Sequence, residues 1–275
     1  MRTLGNSPLT LLVAMFISTA SLLSASAYAD YEEGQNAFNN GDYATAIVEW
    51  EPLAEEGDLY AQFGLGFIYK NGGSLYQNYN EAAKWLQLAA EQGLDVAQYY
   101  VATMYVNGEG VPLDYSEAAK WLQLAAEQSN PLAQRLLGLM YANGEGVLQN
   151  YREATKWSRL AAEQGDDVAQ YNLGLHYANG EGVLQNYREA AKWYRLAAAQ
   201  GNASAEYNLG SMYVTGEGVL QDFARAHMWL NIAAANGGDT AADARNLVAE
   251  LMTPTQIEQA QEMARNCLNS GYVDC

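Results

Sequence analysis

A single period governs this chain. Trp85, Trp121, Trp157, Trp193 and Trp229 stand 36 residues apart, and the residues around them repeat at the same step. The connecting turn reads Asn-Gly-Glu-Gly at 107–110, 143–146 and 179–182 and Thr-Gly-Glu-Gly at 215–218, with Asn71-Gly72-Gly73-Ser74 as a worn first copy. A unit this short cannot bury its own apolar face and must stack on its neighbours, which makes a solenoid. Such arrays mostly present surfaces rather than perform chemistry, so the repeat limits the functional claim as firmly as it sets the architecture.

Residues 94–129 show how one unit works. Ala97, Val101, Met104 and Tyr105 form an i, i+4, i+7, i+8 stripe, which predicts a helix with one buried face near 95–106. Gly66, Gly138, Gly174 and Gly210 recur inside the corresponding helices, with Ala102 in this copy. A glycine there costs about 1 kcal/mol of helix stability, so its recurrence implies close packing by a second helix. Gly108 stops the first helix by taking the left-handed conformation, and Gly110 lets the loop turn back. Asp114 is the predicted N-cap of a second helix near 115–128, with Glu117 completing a capping box. Asn78/Glu81, Asn150/Glu153 and Asn186/Glu189 repeat the device, whereas Asp222 keeps the cap and Arg225 loses the partner. Ala118, Trp121, Leu122 and Ala125 point inward, and Gly93, Ser129, Gly165, Gly201 and Gly237 end the second helices. The expected fold is all-α: a right-handed superhelical solenoid of α/α pairs with a 36-residue repeat, fourteen helices in seven pairs.

Residues 1–29 read as a cleavable export signal rather than as structure. Arg2 precedes the apolar run Leu9–Leu23, and Ala27-Tyr28-Ala29 supplies the small-residue cleavage pattern. The run is shorter than the roughly 20 residues a membrane span needs, and no cysteine near the cut offers a lipid anchor. The expected location is therefore periplasmic or secreted, with no stable membrane insertion. The formal net charge is −18, and losing Arg2 with the leader makes it one unit more negative. Nucleic acid binding requires phosphate-neutralising cations, so this balance excludes it, and anionic lipid surfaces are disfavoured for the same reason. Two readings of the acidic shell stay open: a solubilising coat, or electrostatic steering of a basic partner. The two cysteines, Cys267 and Cys275, fall in the last nine residues. Export predicts that they form a disulfide that staples the tail; they lack the C-x-x-C spacing of a redox site and the ligands of a zinc site.

The repeated residues resemble one family closely. The pattern A...LG..Y..GEGV...D...A..W...AA.QG is that of the Sel-one-like repeat (SLR), a helical-pair branch of the tetratricopeptide superfamily, and it fits residues 58–237 as five units. Residues 30–57, with Ala37, Gly41, Asp42, Tyr43 and Ala46, look like an opening tetratricopeptide-type pair. Residues 238–275, with Met252-Thr253-Pro254-Thr255-Gln256-Ile257 before a last helix, are similar to the capping helices of bacterial members. The resemblance implies an adaptor: members organise protein complexes, in bacteria for envelope assembly, host contact or neutralisation of effectors. It also implies where binding occurs. In tetratricopeptide-like pairs the first helices line a concave groove, and carrying those positions over gives Phe63, Tyr99, Arg135, Tyr171 and Tyr207 as one row and Phe67, Thr103, Leu139, Leu175 and Ser211 as the next. Aromatics around one arginine are the residue types enriched at binding hot spots. Unit-to-unit packing also buries tyrosines, so lateral core is the competing reading of this row.

Chemistry finds little support. The chain has two histidines. His176 replaces the Ile68, Met104, Met140 and Met212 of other copies, which reads as a core substitution in need of a hydrogen-bond partner. His227 replaces Ala83, Ala119 and Ala191 and reads as a packing or surface residue. No phosphate loop, zinc motif or calcium loop is present, so no catalytic residue, metal ligand or cofactor is assigned. Three readings follow: a non-enzymatic exported scaffold that grips a protein or peptide, whether as an immunity-type inhibitor or an envelope-assembly adaptor; an enzyme acting on cell-wall or β-lactam substrates, since cysteine-rich relatives have been linked to β-lactam binding or hydrolysis, although this chain lacks their disulfide in each repeat; and a structural role without a high-affinity partner. The second requires His176 to lie in an open cleft beside a hydroxyl or carboxylate.

Overall fold

The computed structural model describes residues 25–237, 239–273 and 275. The predicted leader lies outside these residues as far as position 24. The helices are α1 (Ala25–Asn39), α2 (Tyr43–Glu55), α3 (Leu59–Asn71), α4 (Gly73–Tyr76), α5 (Tyr79–Glu91), α6 (Asp95–Asn107), α7 (Tyr115–Glu127), α8 (Pro131–Asn143), α9 (Tyr151–Glu163), α10 (Asp167–Asn179), α11 (Tyr187–Ala198), α12 (Ala203–Thr215), α13 (Phe223–Ala235), α14 (Asp239–Ala249) and α15 (Pro254–Asn269). No strand occurs among the described residues. Fourteen of these helices are the expected ones; α4 is an added single turn in the worn first loop, where Gly73 replaces the Glu of the other copies.

Two compact units divide the chain, one ending at Asp114 and the other starting at Tyr115. In the first, α1 packs on α2, α2 on α3, α3 on α5 and α5 on α6. In the second, each helix from α7 to α13 packs on the next, and α15 returns to α13. The core of each unit is the inward stripes: Leu65, Ile68 and Leu86 in one, and Leu137, Met140, Leu173, Leu209, Met228 and Leu230 in the other, all essentially buried. Trp85, Trp157, Trp193 and Trp229 are buried as well, while Trp121 is only half-buried.

The glycines act as their positions demand. A Cβ on Gly174 would stand 2.5 Å from the Tyr194 ring, and one on Gly66 would stand 2.6 Å from Leu86, so the paired helices touch where the side chain is missing. The second glycine of each turn does more than reverse the chain. A Cβ on Gly146 would lie 2.1 Å from the Tyr115 carbonyl oxygen, because this loop presses its backbone onto the first turn of the preceding repeat's second helix.

The capping boxes form only by half. Asn78, Asn150 and Asn186 accept from the N–H groups two and three residues on, as expected. The glutamates do not reach back; Glu81, Glu153 and Glu189 instead pair forward with Lys84, Lys156 and Lys192, at 3.8, 3.2 and 3.6 Å. A lysine one turn on offers opposite charge on the same helix face, which a neutral backbone N–H does not match. Arg225 likewise reaches Asp222, at 3.8 Å. A complete box occurs at Thr253 and Gln256, opening α15.

One periodic device is absent from the sequence expectations. Gln62, Gln98, Gln134 and Gln170 are buried, and each donates to a carbonyl eight residues back, for example Gln134 Nε2 to Ala126 O at 3.0 Å. Gln62, Gln134 and Gln170 also accept from the glutamine thirty residues on, at 2.8–2.9 Å. At these three positions a buried amide bonded on both ends ties one helix pair to the next within its unit without an unsatisfied group.

Candidate interaction face and the His176 cavity

All ten side chains of the two predicted rows are half-buried. In the first unit, Phe63 and Phe67 lie 6.1 Å apart on α3, and Tyr100 of α6 meets both, at 6.0 and 5.6 Å. Tyr99 packs edge-on against Tyr100 at 5.6 Å, and Phe38 of α1 joins Phe67 at 5.8 Å. Three of these pairs meet edge-to-face and the two made by Phe63 are tilted, arrangements that suit the ring quadrupoles and hold the patch in place. Burial, aided by Tyr99, raises the Tyr100 hydroxyl pKa. Thr103 spends its hydroxyl on the Tyr100 carbonyl, at 2.7 Å. Phe38 and Tyr100 belong to the cluster and were missed; the row positions fix which residues share a face but not how far a ring reaches sideways.

In the second unit the row is less aromatic. Arg135 on α8 directs Nε to Asp166 Oδ2 at 3.4 Å, and Asp166 also caps α10 through the Ala169 N–H. One nitrogen of the guanidinium is thereby engaged, so the arginine is oriented by its own chain. Tyr171 on α10 lies 6.0 Å from the Tyr194 ring. Tyr207 and Ser211 follow on α12, where Ser211 Oγ donates to the Tyr207 carbonyl at 3.0 Å. Leu139 and Leu175 do something the sequence does not announce: both line a cavity of about 230 Å³ between α8, α9 and α10.

That cavity has a chemical cause. Position 158 carries serine where other copies carry Leu86, Leu122, Tyr194 and Leu230, so a large core side chain is missing. His176 projects there from α10 with its side chain 7% exposed, and its Nδ1 lies 3.3 Å from Glu181 Oε2. Burial lowers the His176 pKa below its usual value, and Glu181 opposes the shift. Asn179 donates to the other Glu181 oxygen at 3.3 Å, and the Tyr151 ring stands edge-on to the imidazole at 6.4 Å. Histidine at this position therefore gains the partner its burial requires. His227 is buried at 3% exposure, a packing residue.

Two features lie off the rows. Leu148, Leu184 and Leu220 are 91, 92 and 89% exposed at the same place in successive turns. At the far end, Glu206 replaces the ladder glutamine and is wholly buried, accepting from Asn236 Nδ2 at 2.9 and 3.1 Å and from Tyr272 Oη at 2.9 Å. Burial raises the Glu206 pKa against these two donors. Tyr272 lies within the loop closed by the Cys267–Cys275 disulfide, whose Cα atoms are 5.0 Å apart. No group of three or more potential metal-ligating side chains occurs among the described residues, and no helix among them is long and apolar enough to cross a membrane.

Comparison with known proteins agrees with this geometry. The Sel1 repeat family model matches residues 59–94, 95–130, 131–166, 167–202 and 203–238, each match opening at the start of a first helix. Among solved structures, the chain is similar to a protective antigen present in uropathogenic Escherichia coli strains that displays an SLR fold, at 32% identity and a TM-score of 0.78 over 98% of this chain. It is also similar to a Sel1 repeat protein from Oxalobacter formigenes, at 34% identity and a TM-score of 0.66 over 77% of this chain. The chain covers 58% and 61% of those two chains. No curated protein matches it.

Proposed function

The chain belongs to the Sel1 repeat family, and on that premise we propose that it is a non-enzymatic, exported scaffold that holds a protein or peptide partner along its first-helix rows. Sel1 repeats generally mediate protein–protein interaction. The observation that carries the reading is the partial exposure of the rows. Phe63, Phe67, Tyr99 and Tyr171 keep ring surface in solvent, while Leu65, Ile68, Met104, Leu137 and Leu173 on the same helices are buried. Large rings left half-open are the anchors from which interface energy is built. A net charge of −18 favours a basic partner through steering. The predicted leader and the tail disulfide favour the periplasm or the exterior. Within that class the two finer roles are an immunity-type inhibitor of a secreted toxin and an envelope-assembly adaptor.

The test is truncation. Tyr99→Ala, Arg135→Ala and Tyr171→Ala should each weaken capture of the partner identified by crosslinking in the native compartment, by about 1–2 kcal/mol or more, with helicity and Tm nearly unchanged. Intact affinity with Tm lowered by many degrees would show that these side chains are inter-repeat core.

The hydrolytic reading has one observation in its favour: Ser158, His176 and Glu181 share a cavity. A nucleophile needs its base within hydrogen-bond reach, and no hydrogen bond joins Ser158 to His176 among the described residues; the imidazole is turned to Glu181 instead. Hydrolysis of a β-lactam or a peptidoglycan fragment that disappears in Ser158→Ala would reverse this judgement.

A further inference from the structure

The cavity between α8, α9 and α10 interrupts an otherwise repeated core. It exists because two substitutions from different repeats converge: Ser158 vacates the volume of a leucine or tyrosine, and His176 brings an imidazole where the other copies hold isoleucine or methionine. The hydrogen bonds then settle what faces inward. The Glu181 carboxylate accepts from His176 Nδ1, so that nitrogen carries the proton and Nε2 is left as a lone-pair acceptor. The side chain is 93% buried, and Glu181 is the hydrogen-bond partner of its imidazole among the described residues. Asn179 gives its amide N–H to Glu181, which leaves its own Oδ1 accepting. The walls therefore offer a carboxylate, an imidazole nitrogen and an amide oxygen, and no lysine or arginine lines the space.

Size narrows the occupant. Sites for drug-sized ligands run from about 300 to 1,000 Å³, and this one holds about 230 Å³. That suits the end of one side chain. The cavity is also continuous with the proposed interaction face, because Leu139 and Leu175 belong to both. We propose that the cavity takes the ammonium or guanidinium tip of a lysine or arginine side chain presented by the protein partner, a specificity pocket on the face. The inference deepens the scaffold reading and rests on it for the partner, but the preference for a cation can be measured without one.

The measurement follows the His176 imidazole resonances by NMR while capped tripeptides are added to the whole chain: Gly-Lys-Gly, Gly-Arg-Gly and the neutral analogue Gly-citrulline-Gly, with spermidine as a free amine. A cationic peptide should shift the resonances saturably at a concentration about tenfold lower than the citrulline peptide, as loss of a charge-assisted hydrogen bond requires. Ser158→Leu, which refills the space with the residue of three other copies, should abolish the response. Glu181→Gln, which removes only the charge, should bring the arginine peptide down to the citrulline level and serves if the leucine variant fails to fold. The proposal is overturned by an absent response, by equal response to citrulline, by an unchanged response in a folded Ser158→Leu, or by saturation with spermidine alone. If the peptides fail while Arg135→Ala and Tyr171→Ala still lose the partner, the pocket is refuted and the face stands; if the peptides bind but those variants keep the partner, the reverse holds.

Discussion

At the scale of single residues, the repeat is informative where it is broken. His176 and Glu206 each put an ionisable group into a slot the other copies fill with a neutral one, and each makes stability depend on pH in a direction of its own. The folded pKa of His176 lies below the usual 6.5. As pH falls through 6.5 the unfolded chain takes up a proton that the folded chain refuses, so stability present above 6.5 is lost down to the folded pKa. His176→Met should remove this loss, and the Tm gap between variant and parent should widen below pH 6.5; a gap that stays constant with pH contradicts the burial of a neutral imidazole. Glu206 runs the other way. Its folded pKa lies above the usual 4.5, so protonation favours the folded state and stability is lost as pH rises through the folded value. Glu206→Gln restores the ladder donor and should stabilise the protein by about 1 kcal/mol near neutral pH, with the gain vanishing towards pH 4.5. Chemical denaturation at the two pH values checks both magnitude and sign. The buried Trp157, Trp193 and Trp229 leave Nε1 without a partner among the described residues; lysines over the Trp157 and Trp193 rings, 4.5 and 5.7 Å from their centroids, add cation–π attraction.

At the scale of elements, the turns set the spacing of the stack. Gly144 and Gly146 both hold φ near +70°, yet they carry different loads. A Cβ on Gly144 stands 3.3 Å from Gln149 Cβ, a tight contact relieved by a shift of a few tenths of an ångström, whereas on Gly146 it would stand 2.1 Å from the Tyr115 carbonyl oxygen. Gly144→Ala should therefore cost about 1–2 kcal/mol, the ordinary penalty of the left-handed region, and Gly146→Ala distinctly more, because backbone must move as well. Equal costs by urea titration would show that the loop does not bear on the helix beneath it. How much of this was legible divides cleanly by range. The helix positions followed from the 36-residue step, and Asp95–Asn107 and Tyr115–Glu127 differ from the expected spans by one residue at one end each. The glutamine ladder was equally periodic but silent, since a recurrent glutamine reveals neither its burial nor its partner. The capping glutamates were misread because Lys84, Lys156 and Lys192 compete for them. The His176 cavity needs two residues 18 apart to face one space, and the Glu206–Tyr272 contact spans 66 residues; only packing brings such pairs together.

At the scale of the molecule, the chain is a Sel1 repeat array whose sequence keeps four of its five turns alike and varies what faces outward. The central claim is that the first helices, rather than the second helices or the loop leucines, meet the partner. Site-specific photocrosslinking reads that directly. A photoreactive residue placed at Tyr99 or Tyr171 should trap one protein in the native compartment, and the same residue at the exposed Arg188 of α11 or at Leu184 in the turn should trap little of it. Adducts that form from Arg188 or Leu184 while Tyr99 and Tyr171 give none would place the binding surface elsewhere and contradict the account.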